Sequence, residues 1–395
     1  MTIRTRAFTL TMQRELARWR HDRLTRWLMV WLPLIGCLLL VWIFAKRSVV
    51  DLPVVAVDRD NSAQSRALLR AIDAAPAVHI NQQSASMRDA ASAVRAGRAY
   101  AVIEIPARFE RDLLRGKAPA VLLYANEQAL TAANSIARDV QTVVLTTSAT
   151  FSAGLRMQQG VPELAAAAAT QAIRAEVHAL FNPGIDYAAY LAIALVAATL
   201  HSFVLIHAVM STGTERRDRT MGAWSAASGD SPIVALAGKL IPLVFWWTAF
   251  GFTVLSVTYA ALGMAPGGNW LALAGGFSLL VTAYAGMGAC MALWLPELRI
   301  AASAASLIAA PAVAFSGLTF PLAAMPLGAR LAGEMLPLTH FLHLQVAQVI
   351  MQTSVSSSWG RLLWLAGFTA LSGLFALIGM RRVLRSNGEA AQPTP

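Results

Sequence analysis

The chain has 395 residues, of which 56% are hydrophobic and only 13% are charged, whereas soluble domains carry about 25% charged residues. A mean hydropathy of +0.54 is too high for a soluble core, so composition excludes a cytosolic enzyme, a secreted domain and a disordered tail, and predicts a membrane protein. The net charge of +11 does not indicate a nucleic-acid partner, because the basic residues flank apolar runs.

Residues 1–26 are polar, hold seven arginines and predict a cytoplasmic amphipathic helix. The uncharged run 27–44 follows and is long enough to be the first membrane span. Cleavage as a signal peptide is disfavoured, because the run begins late and no convincing small-x-small site follows it. Cys37 lies inside this run and Cys290 inside a later one, so neither indicates a disulfide framework or a metal site.

Residues 45–186 predict a periplasmic α/β domain with a helical stalk. The stretch 51–186 holds 13 basic and 13 acidic residues and is too long for a simple loop. Strand patterns at 54–57, 78–80, 100–105 and 121–124 alternate with helical patterns, and a helical stretch runs from about 129 to 181 with a break near 160–162. No catalytic set or metal-ligand spacing is present. The domain is therefore either a plain folded unit or one that shapes substrate or docks a partner.

Apolar runs of sufficient length predict a mainly α membrane protein with six spans. The five runs after the first are 187–210, 240–262, 270–294, 300 to about 320, and 362–380. Arginine and lysine concentrate in residues 1–26, in the loop 211–239 and in the tail 381–395, which lie on one side if there are six spans. Both termini are therefore predicted to be cytoplasmic, although Lys46 and Arg47 argue weakly for the opposite orientation.

An energy source for transport is missing from the chain itself. The two Gly-Lys pairs, at Lys117 and Lys239, lack the other residues of a phosphate-binding loop, so we expect neither ATP hydrolysis nor a bound cofactor. The spans carry no acidic or basic residue at central depth. Their polar candidates, His201 and His207, are six residues apart and lie on different helix faces. They are interpreted as packed or pore-facing residues rather than a proton relay.

Two segments carry unusual motifs. The first loop reads Gly213-Thr214-Glu215-Arg216-Arg217-Asp218, reaches Trp224, and leads through Pro232 to Gly238-Lys239-Leu240-Ile241-Pro242. The second reads Phe315-Ser316-Gly317-Leu318-Thr319-Phe320-Pro321 and continues to Met325-Pro326. Glycine and proline break the helix there, and irregular backbone at the membrane is tolerated only against protein or a watery cavity.

These motifs resemble the membrane subunits of type-2 ABC exporters, the ABC-2 permease family, and in particular its drug-exporter branch with a large periplasmic domain after the first span. Arg14-Glu15-Leu16 and Asn182-Pro183 are also similar to that family. The chain departs from it at Arg219-Thr220, where Gly-Thr is usual, and at Tyr190-Leu191-Ala192, where Pro-Gly often stands.

The resemblance implies two sets of site residues in this sequence. The residues implied to couple to an ATPase are Glu215, Arg216, Arg217, Asp218, Thr220, Met221, Trp224, Pro232, Gly238 and Lys239. The resemblance also implies a re-entrant segment over roughly residues 315–326 that forms an outer gate. Its residues are Phe315, Ser316, Gly317, Phe320, Pro321, Met325 and Pro326. Because surface ion pairs contribute little, docking of the ATPase is predicted to depend on the apolar Met221, Trp224 and Ile233.

The implied function is that of a permease subunit in the bacterial inner membrane, exporting drug or lipid-like amphipathic compounds. Its partners would be a cytoplasmic ABC ATPase that holds ATP and Mg, a second permease copy or a paralogue, and membrane lipid. The sequence leaves open the substrate and whether a periplasmic adaptor takes part. The alternative is a membrane scaffold or sensor whose outer domain recruits a partner without transport. A membrane-embedded hydrolase is disfavoured, because the sequence contains no HExxH, GxSxG or intramembrane Asp pair.

Overall fold

The structure of the protein, a computed structural model, describes residues 3–45, 49–158, 186, 188–264 and 268–390. The chain divides into two units, one of residues 48–180 and one that combines residues 1–47 with 181–395. The predicted break near 160–162, the end of the predicted helical stretch, and Asn182-Pro183 lie outside the described residues.

Two helices open the larger unit, α1 (Ile3–His21) and α2 (Arg23–Ile43). Asp22 separates them, because its carboxylate accepts hydrogen bonds from the Leu24 amide at 3.0 Å and from the Thr25 hydroxyl at 2.6 Å. This is the geometry of an N-cap, so the polar N-terminal helix ends where the first apolar helix begins.

The smaller unit contains a four-stranded sheet of β1 (Leu52–Asp58), β2 (Val78–Gln83), β3 (Ala101–Ile105) and β4 (Leu122–Ala125). The strand order is β2-β1-β3-β4; β1 pairs in parallel with both neighbours, and β4 is antiparallel to β3. All four predicted strands are therefore present, and the parallel pairs require crossover helices.

Helices cover both faces of this sheet. They are α3 (Ala63–Asp73), α4 (Met87–Arg95), α5 (Phe109–Leu114) and α6 (Leu130–Gln158). Strand residues alternate between the faces, so Val54 packs with α3, α5 and α6, whereas Val55 packs with α4. Three apolar residues on one face of α3 are buried: Leu68, Leu69 and Ile72.

Long apolar helices dominate the rest of the larger unit. They are α7 (Ala188–Arg217), α9 (Pro232–Ala261), α10 (Trp270–Trp294) and α15 (Trp359–Ala390), and the short α8 (Met221–Ala227) lies between α7 and α9. Their shared core centres on the buried rings of Trp247, Tyr259, Phe277 and Tyr284.

Only five of the six predicted spans are single long helices in the described part of the chain, so the count of six stays a prediction. Five helices are long and apolar enough to cross a membrane, and the fifth predicted span, 300 to about 320, is not one of them. It consists of α11 (Leu298–Ala309) and α12 (Ala312–Phe315), separated at Pro311. Twelve helical residues reach only about 18 Å, well short of the ~30 Å hydrocarbon layer. Proline interrupts the run because it lacks an N–H and clashes with the preceding turn.

The chain after α12 returns through two more helices. A 3₁₀ turn (Leu322–Ala324) leads to α13 (Leu327–Glu334), which is followed by α14 (Pro337–Gln345). α12 contacts both of these helices, so the segment folds back on itself.

Candidate functional site

The predicted coupling loop is mostly helical. Because α7 continues to Arg217 and α9 begins at Pro232, only residues 218–231 link the two long helices, and α8 occupies half of that link. The chain turns at Arg219 and Asp230, which adopt positive φ angles of 58° and 54°. Ser231 caps α9 by accepting a hydrogen bond from the Val234 amide, and Pro232 suits the first turn of the helix.

α1 packs closely against the start of α9, and Gly238 permits that contact. A Cβ atom at Gly238 would lie 2.5 Å from the Cγ2 atom of Thr11, closer than real Cβ contacts come. Thr11 is itself buried, so it has no room to move aside. The glycine of the Gly-Lys motif therefore serves helix packing at this point.

Next to this contact lies a buried ion cluster centred on Lys239. Its Nζ atom is 2.6 Å from Oε2 of Glu15 and 2.9 Å from Oε1 of Glu215, and it donates to the Ser211 carbonyl at 3.0 Å. The side chains of Lys239, Glu15 and Glu215 are only 2%, 2% and 1% exposed. One ammonium therefore joins α1, α7 and α9.

Two arginines of α1 extend the cluster towards α8. Arg14 donates to Oε2 of Glu215 at 2.7 Å, and Arg18 reaches Oε1 of the same carboxylate at 3.3 Å. Thr220, which directly precedes α8, also donates its hydroxyl to Glu215. Glu215 thus holds the entry to α8 against α1, and in the cluster two carboxylates face three cations.

The charges of the cluster stabilise one another rather than standing alone. Burial by itself raises the pKa of Glu15, but the charge and hydrogen bond of Lys239, the Ser211 hydroxyl and the charge of Arg18 outweigh it, so the pKa is lowered. Glu15 also accepts from the Trp19 indole at 3.0 Å. Removing one member of such a buried cluster costs about 3–5 kcal/mol, since its partner is left charged and unpaired.

Trp224 corrects one sequence prediction, because it does not offer a docking surface to a partner. Its side chain is completely buried, its indole N–H donates to the Ala235 carbonyl at 3.3 Å, and the Lys239 ammonium lies 5.1 Å from the ring centroid. It packs with residues of α9, α10 and α15: Ala235, Leu236, Ala289, Leu293, Ala376 and Met380. Trp224 therefore anchors α8 to this chain's own long helices.

The other predicted coupling residues divide between interior and surface. Arg216 donates to the carbonyls of Leu295 at 2.6 Å and of Leu293 at 3.1 Å, which ties α7 to the end of α10. Arg217 and Asp218 form an exposed pair at 2.8 Å. Met221 is half-buried beside Trp224. Ile233 is 61% exposed and is the large apolar side chain that this segment presents to solvent.

The two histidines of α7 are both buried and belong to separate neighbourhoods. His201 lies 4.7 Å from the ring of Tyr284, whereas Nδ1 of His207 accepts from the Trp247 indole at 2.9 Å. His207 also lines a cavity of about 190 Å³ beside the ion cluster, together with Arg18 and Asp22.

The predicted re-entrant residues form a tight reversal. Ser316 is buried and donates its hydroxyl to the Val313 carbonyl at 2.7 Å, which ends α12 after Phe315. Gly317 follows with φ of +81°, where a Cβ atom would approach Leu322 to 2.6 Å. The remaining residues of the segment surround the 3₁₀ turn: Phe320, Pro321, Met325 and Pro326.

The return path is held by backbone contacts. Gly333 of α13 lies directly against the Phe315 carbonyl, and the Thr339 hydroxyl donates to the Gly333 carbonyl at 2.7 Å. Large apolar side chains remain exposed on this segment at Phe320, Leu327, Leu331 and Met335. The reversal is therefore well packed on one side and exposes apolar side chains on the other. Its gating role stays a prediction.

The importance of α1 was missed by sequence reasoning. The sequence marks Arg14 and Glu15 only as similar to a family motif, and it does not single out Thr11, Arg18 or Ser211. A signal existed, since Glu15 in an arginine-rich helix and Lys239 at the start of an apolar helix both need partners once buried. The sequence did not show that they partner each other.

Comparison with known families decides the identity of the chain. The model of a family described as ABC-2 family transporter protein matches residues 23–378, most of the chain. The chain belongs to the ABC-2 transporter family. No curated protein gave a significant match to it.

Membership makes this chain a multi-pass membrane protein and the permease of an ABC transporter rather than a catalytic subunit. Permeases of the ABC-2 family normally pair with an ATPase subunit. The family match begins at residue 23, so α1, which supplies Arg14, Glu15 and Arg18, lies outside the matched region. The ion cluster thus joins a segment beyond the match to the loop of the family fold.

Proposed function

We propose that this ABC-2 permease exports amphipathic compounds, drug or lipid-like, from the cytoplasm or the inner leaflet of a bacterial inner membrane. ATP bound with Mg on a separate ATPase subunit drives the cycle, and the force enters through α8 and the adjoining ends of α7 and α9. The observation that carries the proposal is the buried Lys239 cluster. It fastens α8, α1 and two long helices into one body, so displacement of α8 displaces both long helices.

The character of the long helices supports an amphipathic substrate. Residues 27–43, 193–214, 240–261 and 270–294 contain no Asp, Glu, Lys or Arg. A strongly charged solute needs charged or polar groups in its pathway, whereas an apolar body is compatible with apolar walls. The exposed apolar side of the re-entrant segment, from Phe320 to Met335, suits an outlet for such a compound.

The proposed topology keeps both termini in the cytoplasm and residues 48–180 in the periplasm. It requires α11 and α12 to supply a sixth, discontinuous crossing, and Leu298 to Phe315 cover about 27 Å at the helical rise. Cysteine labelling from each side tests it. If a Ser386→Cys variant reacts only with a labelling reagent added from the periplasmic side, this topology is refuted, and so is the cytoplasmic position of α8.

The proposed assembly contains two permeases and two ATPases. The second permease is either another copy of this chain or a paralogue, and a periplasmic adaptor is an optional further partner. The first experiment is to test whether the adjacent reading frame encodes an ABC ATPase, to purify the chain with that ATPase, and to reconstitute the complex in vesicles. A panel of amphipathic compounds is then screened for stimulation of ATP hydrolysis and for accumulation on the outer side.

A single exposed residue tests where the ATPase docks. Ile233→Asp places a charge on an exposed apolar position without disturbing the core, and truncation of one interface anchor typically costs about 2 kcal/mol, or roughly 30-fold in affinity. We therefore expect ATPase binding and substrate-stimulated hydrolysis to fall while thermal stability stays unchanged.

The matched control is Arg299→Ala, a 90% exposed side chain in the first turn of α11. It should leave both readouts at the wild-type level. If Ile233→Asp binds the ATPase and supports stimulated hydrolysis as the wild type does, α8 and its neighbours are not the docking surface. If the ATPase binds but no compound is transported or stimulates hydrolysis, the scaffold alternative gains support.

A further inference from the structure

The α/β unit contains a cavity of about 210 Å³ that no part of the proposed transport path uses. It lies between α3, α5, the segment 116–121 and the second half of α6, all within residues 48–180. Its volume equals that of about seven water molecules at ~30 Å³ each, which suits one end of a small amphiphile rather than a whole large molecule.

The walls of this cavity are mainly apolar. Its lining includes six large apolar side chains: Leu68, Phe109, Leu113, Val121, Val144 and Phe151. Leu68 and Phe109 are buried members of the core, so the base of the cavity rests on the packed part of the unit. Apolar walls over a fixed base are the usual setting for the hydrophobic part of a ligand.

The polar groups of the cavity lie along one side of α6. Thr147, Ser148 and Ser152 line it, and their hydroxyls make no hydrogen bond within the described part of the chain. Other threonines of the same helix behave differently, since Thr146 and Thr150 each donate to the carbonyl four residues earlier. The hydroxyls on the cavity side are therefore available to a ligand.

One lining residue is charged. Lys117 follows Gly116, whose φ of +73° is typical of a helix end, and Lys117 forms no ion pair among the described residues. The cavity lining contains no acidic side chain. An unpaired ammonium at an otherwise neutral apolar cavity attracts an anionic group and disfavours a cationic one.

We propose that this cavity, lined by Phe109, Val144 and Phe151 with Lys117 at its charged side, binds the apolar end of an amphiphilic anion such as a medium-chain carboxylate. The hydroxyls of Ser148 and Ser152 hydrogen-bond to its polar group. The identification of this anion as exported cargo rests on the proposed function, whereas binding itself does not.

Protection of a cysteine tests binding in the full-length chain in lipid nanodiscs without detergent. The native Cys37 and Cys290 are changed to alanine, and Ser148→Cys reports on the cavity. The control is Thr146→Cys, which is exposed on the same helix and does not line the cavity. With decanoate at about ten times its dissociation constant, mass action predicts roughly ten-fold slower maleimide labelling of Ser148→Cys and an unchanged rate for Thr146→Cys.

Two second-site variants test the assigned chemistry. Lys117→Glu, at an exposed position, should weaken protection by decanoate several-fold and create protection by decyltrimethylammonium. Val144→Trp should fill the cavity and remove protection by either compound. Equal protection of both cysteines, or protection that neither variant alters, would overturn the proposal.

The source of the anion is resolved by the disc composition. Discs of phosphatidylcholine alone are compared with discs that contain phosphatidylglycerol. Protection by phosphatidylglycerol without added decanoate supports the cavity and assigns its ligand to the membrane. If decanoate protects Ser148→Cys but does not stimulate ATP hydrolysis, binding in the cavity is supported and export of decanoate-like compounds is refuted. If decanoate stimulates ATP hydrolysis without protecting Ser148→Cys, binding in the cavity is refuted and the proposed export function is supported.

Discussion

Replacing Lys239 with methionine removes the charge at the centre of the buried cluster while keeping a side chain of similar length. Glu15 then loses an ion pair of 2.6 Å and Glu215 one of 2.9 Å, and both carboxylates remain almost inaccessible to water. Glu215 retains Arg14 and Arg18, whereas Glu15 retains only Trp19 and Ser211 at hydrogen-bonding distance. Glu15 should therefore leave the site and take α1 with it.

The expected cost is about 3–5 kcal/mol, the range for breaking a buried ion pair from one side. If α1 opens locally, its amides should exchange with solvent deuterium roughly 10²- to 4 × 10³-fold faster, while those of β1 and β3 keep their wild-type protection. Hydrogen exchange with mass spectrometry, on the protein in nanodiscs, resolves the two regions separately.

A second substitution makes the reasoning refutable. Lys239→Met combined with Glu15→Gln removes both charges, so most of the lost protection of α1 should return. Lys117→Met is the matched control, since Lys117 has no ion pair among the described residues, and it should change nothing in α1. Wild-type protection of α1 in Lys239→Met, or a double variant no better than the single one, would refute the cluster as the attachment of α1.

Three further outcomes follow from the same contacts. The lowered pKa of Glu15 means that its ionised form stabilises the docked helix at pH above its ordinary value of 4.5 and that this contribution is lost as the pH falls through the lower, folded-state pKa. A fluorophore on Arg20→Cys should thus gain mobility only on acidification below about pH 4.5, and Glu15→Gln should flatten that profile. Gly238→Ala should lower the stability of α1 docking by about 1–3 kcal/mol through overpacking against Thr11, whereas Gly222→Ala, which meets no atom within 4 Å, should be neutral by thermal unfolding. Trp224→Ala should cost about 3–5 kcal/mol in a thermal unfolding assay of the permease alone, and equal stability would contradict its buried position.

Secondary structure in the α/β unit could be predicted from the sequence, because it depends on short stretches of chain. The short β-rich run 54–57 predicted a strand, and the helical pattern that follows it predicted a helix. Both are present, because these signals follow directly from local backbone geometry. Ser86 caps α4, because its hydroxyl accepts a hydrogen bond from the Arg88 amide, and a reciprocal capping box starts α3 at Ser62 and Ser65.

Hydropathy did not predict the helix break in the fifth predicted span, because proline and tertiary packing together decide whether a helix continues. Pro311 ends a helix inside a run that is apolar throughout, whereas Pro242 lies within the continuous helix α9. Neighbouring residues in the two runs are similarly apolar, so composition does not separate the two cases. The ion cluster could not be predicted from the sequence for a different reason. Glu15 and Lys239 are 224 positions apart, and no spacing rule connects them.

That separation has a consequence for the order in which the protein is made. A ribosome adding about 5–20 residues per second needs roughly 10 to 45 s to travel from Glu15 to Lys239. Throughout that interval the arginine-rich first helix exists without the ammonium that later neutralises its carboxylate. The docking of α1 is therefore a late event of biogenesis, because it requires that α9 has already been synthesised and packed.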